Sequence, residues 1–108
     1  MTEYIQVIIT IDSREGAERI ARALVERRLA ACVQALGPIA STYWWEGKIE
    51  TAQEYLCLIK SRAELYDQLE HAIREIHSYS TPEIIATPIV NGHRDYLSWL
   101  ARETEQQE

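Results

Sequence analysis

The chain has 108 residues, a length that suits one domain and leaves no room for two. Its 46% hydrophobic and 26% charged residues are typical of a folded globular protein and unlike a disordered one. The 11 basic and 17 acidic residues give a formal net charge of −6. This charge disfavours nucleic-acid and anionic-membrane partners, because both require a basic face.

The amino terminus and the cysteines indicate a cellular compartment. No stretch approaches the roughly 20 apolar residues that span a bilayer, and the first residues lack the basic and apolar regions of a signal peptide. Cys32 and Cys57 lack CxxC spacing, which favours free, buried thiols in a reducing environment. We therefore expect a cytoplasmic protein with no membrane association.

The first half of the chain predicts a strand, a helix and a long hairpin. Residues 2–11 are mainly β-branched, which favours a strand. Asp12 and Ser13 are helix-capping types, and apolar residues then recur with helical spacing up to residue 25. A second strand follows from residue 29 to 45, bent at Gly37-Pro38. Gly47 lies in the predicted turn, and residues 49–61 form the return strand.

The second half predicts a helix, a strand and a short last helix. Ser61 and Glu64 match a capping box, with an apolar stripe following to residue 76. Pro82 prevents continuation of this helix, and residues 83–90 are strand-like, with Pro88 indicating an edge, a bulge or a strand end. Residues 96–100 predict the last helix.

The resulting order is β-α-β-β-α-β-α, and its first six elements match the ferredoxin-like split βαβ pattern. We predict an α+β fold with a four-stranded antiparallel sheet, two helices on one face and an extra C-terminal helix. Residues 1–102 form the single domain, and residues 103–108 form a polar tail that is expected to fray.

Both faces of the predicted sheet carry apolar residues. In the third strand Leu56 and Leu58 alternate with Cys57 and Ile59, so either face is apolar. An antiparallel sheet with one wet face normally alternates cleanly between apolar and polar residues. The second face is therefore expected to be covered by another subunit, in a homo-oligomer, or by the C-terminal helix.

Most enzyme signatures are absent from the sequence. There is no glycine-rich phosphate loop, no GxSxG and no HExxH, and no histidine is spaced with another histidine or a cysteine as in a structural zinc site. The segment from His77 to Glu83 is the most polar candidate, because it combines imidazole, phenol and carboxylate where a helix meets a strand. His77 can ligate a divalent metal there. The alternative is that it caps the helix while Tyr79 packs on the sheet.

Two further candidates lie on the hairpin. Its tip is aromatic and can serve as a ligand platform or as a subunit contact. Strict alternation places Trp44 and Trp45 on opposite faces, so we expect at most one of them in a given pocket. Glu54 lies mid-strand among apolar neighbours and needs a partner, either at a ligand site or across a subunit interface.

Several segments, taken together and in order, resemble the CutA divalent-cation-tolerance family. The matching segments are Leu29 to Val33, Ser41 to Lys48, Glu54 with Ile59-Lys60, His77 to Ile84, and Gly92 to Leu100. They extend across almost the whole chain, and their order is more specific than any one of them.

The resemblance implies a ferredoxin-like subunit in a homotrimer similar to PII signalling proteins. It implies a cytoplasmic role in tolerance of copper and other divalent metals. It also implies a polar ligand-binding cleft between subunits, lined by Cys32, Trp45, Glu54, Lys60, His77, Tyr79 and Glu83. Within it we expect His77 to be the metal ligand and Glu54 and Glu83 to be accessory oxygen donors, with Trp45 and Tyr79 as walls.

One departure affects the expected metal. Some members carry a cysteine in the first strand and a second histidine where this chain has Ile76. Without that thiolate, His77 and carboxylates favour weak binding of Cu(II) over a soft Cu(I) site, with zinc less favoured. Two other functions remain open. One is a structural or signalling adaptor trimer without a metal role, and the other is an enzyme using His77 or Cys32.

Overall fold

The computed structural model describes residues 3–106, and its order of strands and helices is the predicted one. The strands are β1 (Tyr4–Ile11), β2 (Cys32–Trp45), β3 (Lys48–Arg62) and β4 (Ile84–Pro88). The α-helices are α1 (Arg14–Glu26), α2 (Tyr66–Ile76) and α3 (Arg94–Glu103). The first strand was predicted to begin at Thr2, which lies outside the described residues.

The four strands form one antiparallel sheet in the order β2-β3-β1-β4. This order and the positions of α1 and α2 confirm the ferredoxin-like α+β fold. The two expected halves of the second strand are one strand, β2, with an irregularity between Leu36 and Ile39. Pro88 ends β4 at the edge of the sheet, where its missing N–H interrupts no ladder in the sheet interior.

The hydrophobic core lies between one face of the sheet and helices α1 and α2. Every second residue of β1 is buried there, and each helix contributes a buried apolar stripe. Ser13 starts α1 as predicted, because its hydroxyl accepts a 3.0 Å hydrogen bond from the amide of Gly16. Among residues 3–106, no helix is both long and apolar enough to cross a membrane.

The predicted capping box at the start of the second helix is wrong. Ser61 belongs to β3, and its buried hydroxyl donates a 2.7 Å hydrogen bond to the carbonyl of Leu29. Glu64 pairs instead with Arg62. Because Ser61 serves the strand, a short 3₁₀ turn (Ala63–Leu65) intervenes before α2 begins at Tyr66.

Helix α3 lies over one end of the opposite sheet face. Arg62 of β3 donates from Nε to the hydroxyl of Thr104 (2.8 Å) and from Nη2 to its carbonyl (2.7 Å). Thr104 is fully buried, and the side chain of Gln106 donates a 2.8 Å hydrogen bond to the carbonyl of Arg28. The start of the polar tail is therefore anchored rather than frayed.

Much of this second face is still open. Leu36 and Ile85 are 43% and 50% exposed. Their cross-strand neighbours Leu56 and Ile8 are only partly buried. The C-terminal helix therefore covers only part of the apolar surface, and the expected second subunit stays a prediction.

The hairpin extends beyond the sheet as a two-stranded ribbon. β1 pairs with β3 only as far as Tyr55, whereas β2 continues to pair with β3 down to Lys48. Glu46 and Gly47 form the turn with φ values of 50° and 78°, which is the left-handed geometry of a tight hairpin. The ribbon tip carries exposed aromatic side chains, with Trp44 72% exposed.

Leu69→Ala is expected to lower the free energy of unfolding by about 2–5 kcal/mol, because Leu69 is fully buried in the core between α2 and the sheet. The adjacent Gln68 is exposed, so Gln68→Ala is expected to change it by less than about 0.5 kcal/mol. Urea unfolding of both variants measures the difference. Equal losses would contradict this placement of the core.

Candidate functional site

A cleft of about 600 Å³ lies where the ribbon leaves the sheet. It is bordered by the end of β1, by the ribbon and by the segment that follows α2. The bordering residues are Thr10, Asp12, Tyr43, Trp44, Trp45, Glu54, Tyr79, Ser80, Thr81 and Glu83. We call this the acidic–aromatic cleft.

Glu54 is the most deeply placed charged side chain of the cleft, with only 6% of its surface exposed. The hydroxyl of Tyr79 donates a 2.8 Å hydrogen bond to its Oε2 atom. Among residues 3–106, no lysine, arginine or histidine forms an ion pair with Glu54. Glu54 was predicted to need a partner, and the neutral phenol of Tyr79 is that partner. Within the described chain, the Glu54 carboxylate has no ion-pair partner.

His77 holds the segment after α2 against the end of β1. Its ring is 8% exposed, and its Nε2 lies 2.7 Å from the carbonyl oxygen of Thr10, which requires that Nε2 carry the proton. Its Nδ1 accepts a 3.0 Å hydrogen bond from the backbone N–H of Tyr79. The rings of His77 and Tyr79 also contact each other at a centroid distance of 4.7 Å. His77 therefore positions Tyr79, which in turn contacts Glu54.

The cleft has a negative electrostatic character. Of the residues that the structure describes, Asp12, Glu54 and Glu83 border it with their carboxyl groups, and no lysine or arginine does. Burial, the hydrogen bond to Glu54 and the nearby negative charges all raise the pKa of Tyr79. Three carboxyl groups at one cleft favour a cation there.

A complete metal centre is not assembled within the described part of the chain. No group of three or more His, Cys, Asp or Glu side chains among residues 3–106 is arranged to hold a metal ion. Both nitrogens of His77 are hydrogen-bonded, so a metal at Nδ1 would have to displace the Tyr79 amide. The residues of one subunit therefore do not fit a metal held by His77 in this conformation.

The seven predicted site residues fall into three groups. Trp45, Glu54, Tyr79 and Glu83 border the cleft, and His77 lies behind it. Cys32 and Lys60 are cross-strand partners near the other end of β3, where Lys60 Nζ donates a 2.9 Å hydrogen bond to Gln34. A single subunit therefore does not bring these two residues to the cleft.

The cysteines are both free, as predicted. Cys57 is fully buried, and burial raises the pKa of its thiol to about 11. Cys32 is half-buried. Burial raises the pKa of the Tyr96 phenol, and the neighbouring Cys32 raises it further. An inert role suits Cys57 in particular, because a protonated, buried thiol is a poor nucleophile.

Sequence reasoning missed part of the cleft. The sequence assigns Asp12 a helix-capping role, and it gives Tyr43, which lies in the Ser41 to Lys48 segment, no role of its own. Trp44 and Trp45 both border the cleft, so the expectation of at most one in a pocket is wrong. The alternation rule treats strands as flat, whereas two-stranded ribbons twist strongly.

The comparisons with known proteins agree with one another. Residues 5–103 match the family described as "CutA1 divalent ion tolerance protein". The chain belongs to this family. It is 44% identical to the divalent-cation tolerance protein CutA of Thermus thermophilus over 91% of this chain and 95% of that protein. The solved T. thermophilus structure covers 94% of this chain and 99% of its own, with a TM-score of 0.92.

Relatives also come from other domains of life. The CutA protein of Archaeoglobus fulgidus is 44% identical over 92% of this chain and 96% of that protein. "Protein CutA 1, chloroplastic" of rice is 41% identical over 94% of this chain, but this chain spans only 58% of the rice protein. These relatives confirm the family that the ordered segments resemble.

Tyr79→Phe is expected to lower the free energy of unfolding by about 1–3 kcal/mol near neutral pH, because Glu54 loses its hydrogen-bond donor in a buried position. Since folding raises the pKa of Tyr79, its contribution is present below the unfolded pKa of about 10 and declines as pH rises above it. Urea unfolding of wild type and variant from neutral to alkaline pH measures this difference.

The matched control for this prediction is Tyr43→Phe. Tyr43 borders the same cleft, but it makes no side-chain hydrogen bond to another residue of the described chain. Its hydroxyl is therefore expected to contribute little to stability. If the two variants differed from wild type equally, or if the Tyr79 effect grew with pH, the proposed hydrogen bond to Glu54 would be contradicted.

Proposed function

We propose that this protein acts in divalent-cation tolerance as a homotrimer that binds a positively charged ligand in the acidic–aromatic cleft. The observation that carries the proposal is Glu54, a 6% exposed carboxylate without a basic partner among residues 3–106. A buried carboxylate is stable when an opposite charge or several hydrogen bonds compensate for its lost hydration. A bound cation supplies that compensation.

A divalent metal is one such ligand. The free donors of the cleft are carboxylate oxygens, which with water can hold Cu(II) weakly. Copper is favoured over zinc because divalent copper binds a given oxygen and nitrogen donor set more tightly. The metal-ligand role of His77 stays a prediction, and it requires that Nδ1 release the Tyr79 amide.

Trimer formation accounts for the residues that a single subunit leaves apart. Lys60 and Cys32 lie on the partly open face of the sheet, together with exposed Leu36 and Ile85. Another copy packed on this face would bury the apolar residues, as in PII-like trimers. It would also bring Lys60 and Cys32 of one copy towards the cleft of the next, which would make the site an intersubunit cleft.

A second candidate function is an adaptor trimer without a metal role. The exposed aromatic ribbon tip favours it, because Trp and Tyr are enriched in protein interfaces. An adaptor would show no saturable cation binding, while Glu54→Ala would still destabilise the protein. We place either function in the cytoplasm; the names of two relatives refer to the chloroplast and to the periplasm.

Cu(II) is expected to bind saturably to the wild-type protein, with a weaker response to Zn(II), in calorimetric titrations. Glu54→Gln is expected to weaken Cu(II) binding at least about tenfold, because it removes the buried charge. Glu50→Gln is the matched control, since Glu50 is an exposed carboxylate four residues earlier on β3. His77→Ala, run alongside, tests whether this ring is also a ligand.

Unchanged Cu(II) binding in Glu54→Gln would remove Glu54 from the metal site. Unchanged binding in His77→Ala would do the same for His77. If neither Cu(II) nor any other cation bound the wild type, the adaptor function would replace the proposed one.

The protein is expected to sediment with three times the 12.5 kDa mass of one chain. Leu36→Lys is expected to shift the equilibrium towards smaller species, because it places a charge on the open apolar face. Analytical ultracentrifugation of wild type and variant, with Gln68→Lys as the exposed control, measures the change. A monomeric wild type would contradict the trimer.

A further inference from the structure

The buried Glu54 carboxylate and the aromatic side chains beside it occur in one cleft. Together they limit the chemical class of ligand that the cleft can bind. Tyr43 and Trp45 lie on the same face of the ribbon as Glu54, as the pairing of β2 with β3 shows. Tyr79 borders the cleft from the segment after α2 and donates to Glu54. The carboxylate is thus accompanied by three aromatic rings contributed by two separate parts of the fold.

Aromatic rings attract cations through the negative potential of their faces, and organic ammonium groups exploit this most fully. A metal ion holds tightly bound water and needs several oxygen or nitrogen ligands at once. Among residues 3–106, the cleft offers no cluster of three His, Cys, Asp or Glu side chains arranged to hold a metal ion. The aromatic walls of the cleft therefore suit a cation that can lose its hydration shell and make apolar contacts with them.

The size and charge of the cleft agree with such a ligand. Its volume of about 600 Å³ lies within the range of ordinary small-molecule sites. Among residues 3–106, no lysine or arginine of this subunit borders the cleft, so the subunit offers no positively charged side chain to a phosphate or a carboxylate there. The negative charge also extends to the rim, where Asp12 and Glu83 lie.

We propose that the cleft recognises an organic ammonium group, with the Glu54 carboxylate facing the positive nitrogen and the Tyr43, Trp45 and Tyr79 rings contacting its alkyl substituents. This inference rests on the proposed function, because it names the class of cation that the same site binds. The hydrogen bond from Tyr79 fixes one carboxylate oxygen and leaves the other available to the ligand. His77 is a positioning residue for Tyr79 in this arrangement.

The test uses tetramethylammonium as the probe and tert-butanol as a neutral molecule of similar shape. Calorimetry and ligand-observed NMR with the full chain are expected to show saturable binding of tetramethylammonium and at least about tenfold weaker binding of tert-butanol. Glu54→Gln is expected to reduce tetramethylammonium affinity at least about tenfold, and Trp45→Leu several-fold. Glu50→Gln is expected to leave it unchanged.

Equal binding of the charged and neutral probes, or no binding of tetramethylammonium, would overturn the inference. The latter result is also the one expected if a lysine of another copy neutralises Glu54. Binding of Cu(II) that depends on Glu54, without binding of tetramethylammonium, would leave the proposed function intact and remove only the organic ligand. If Glu54→Gln does not fold, the comparison of tetramethylammonium with tert-butanol on the wild-type protein still tests the inference.

Discussion

The central position of β3 is the constraint on which the rest of the structure depends. This 15-residue strand pairs with β1 along one end and with β2 along almost its whole length. At the end shared with β1, alternate residues such as Cys57 and Ile59 form the floor of the helix-covered core. At the other end, β3 leaves the sheet and carries Glu54 to the point where sheet and ribbon separate. The same strand therefore organises the core and places the charge of the candidate site.

The cleft is formed by contacts at one end of the sheet, between residues that lie outside the hydrophobic core. His77 links the end of β1 to the segment after α2 through two hydrogen bonds, because its Nε2 donates to the Thr10 carbonyl and its Nδ1 accepts from the Tyr79 amide. Those bonds place Tyr79 where its hydroxyl reaches Glu54. A chain of neutral donors thus supports a buried carboxylate without cancelling its charge. Among residues 3–106, Glu54 thus differs from a member of a structural ion pair, in which the opposite charge is already part of the protein.

Much of the fold could be predicted from the sequence because its signals are local and repeated. The β-branched run of β1, the Ser13 cap and the Gly47 turn each lie where they were expected. The capping box failed because a distant acceptor, the carbonyl of Leu29, binds the hydroxyl of Ser61. A pattern of neighbouring residues in the sequence cannot predict a contact between residues so far apart in the chain.

The site was predictable in its residue types but not in its geometry. Glu54 was identified because a charged group among apolar neighbours needs a partner, and Tyr79 and Glu83 because they follow His77 in a polar segment where a helix meets a strand. All three border one cleft. The use of both His77 nitrogens was not visible, since it depends on where the end of β1 meets the turn after α2. The joint exposure of Trp44 and Trp45 to the cleft depends on how the ribbon twists. Both features are three-dimensional and leave no mark in spacing.

The strand order leaves β2 and β4 as the two outer strands of the sheet. β4 has five residues and ends in Pro88, which limits what another strand could pair with. β2 has 14 residues, and on its outer side the row of peptide groups from Cys32 onward has no neighbouring strand within the sheet. Such an edge is a template on which strands of other chains can add without limit, unless it is covered in a closed assembly. In the proposed homotrimer, a subunit that dissociated on dilution would therefore be the species most at risk of polymerising, and association would protect against aggregation as well as build the site.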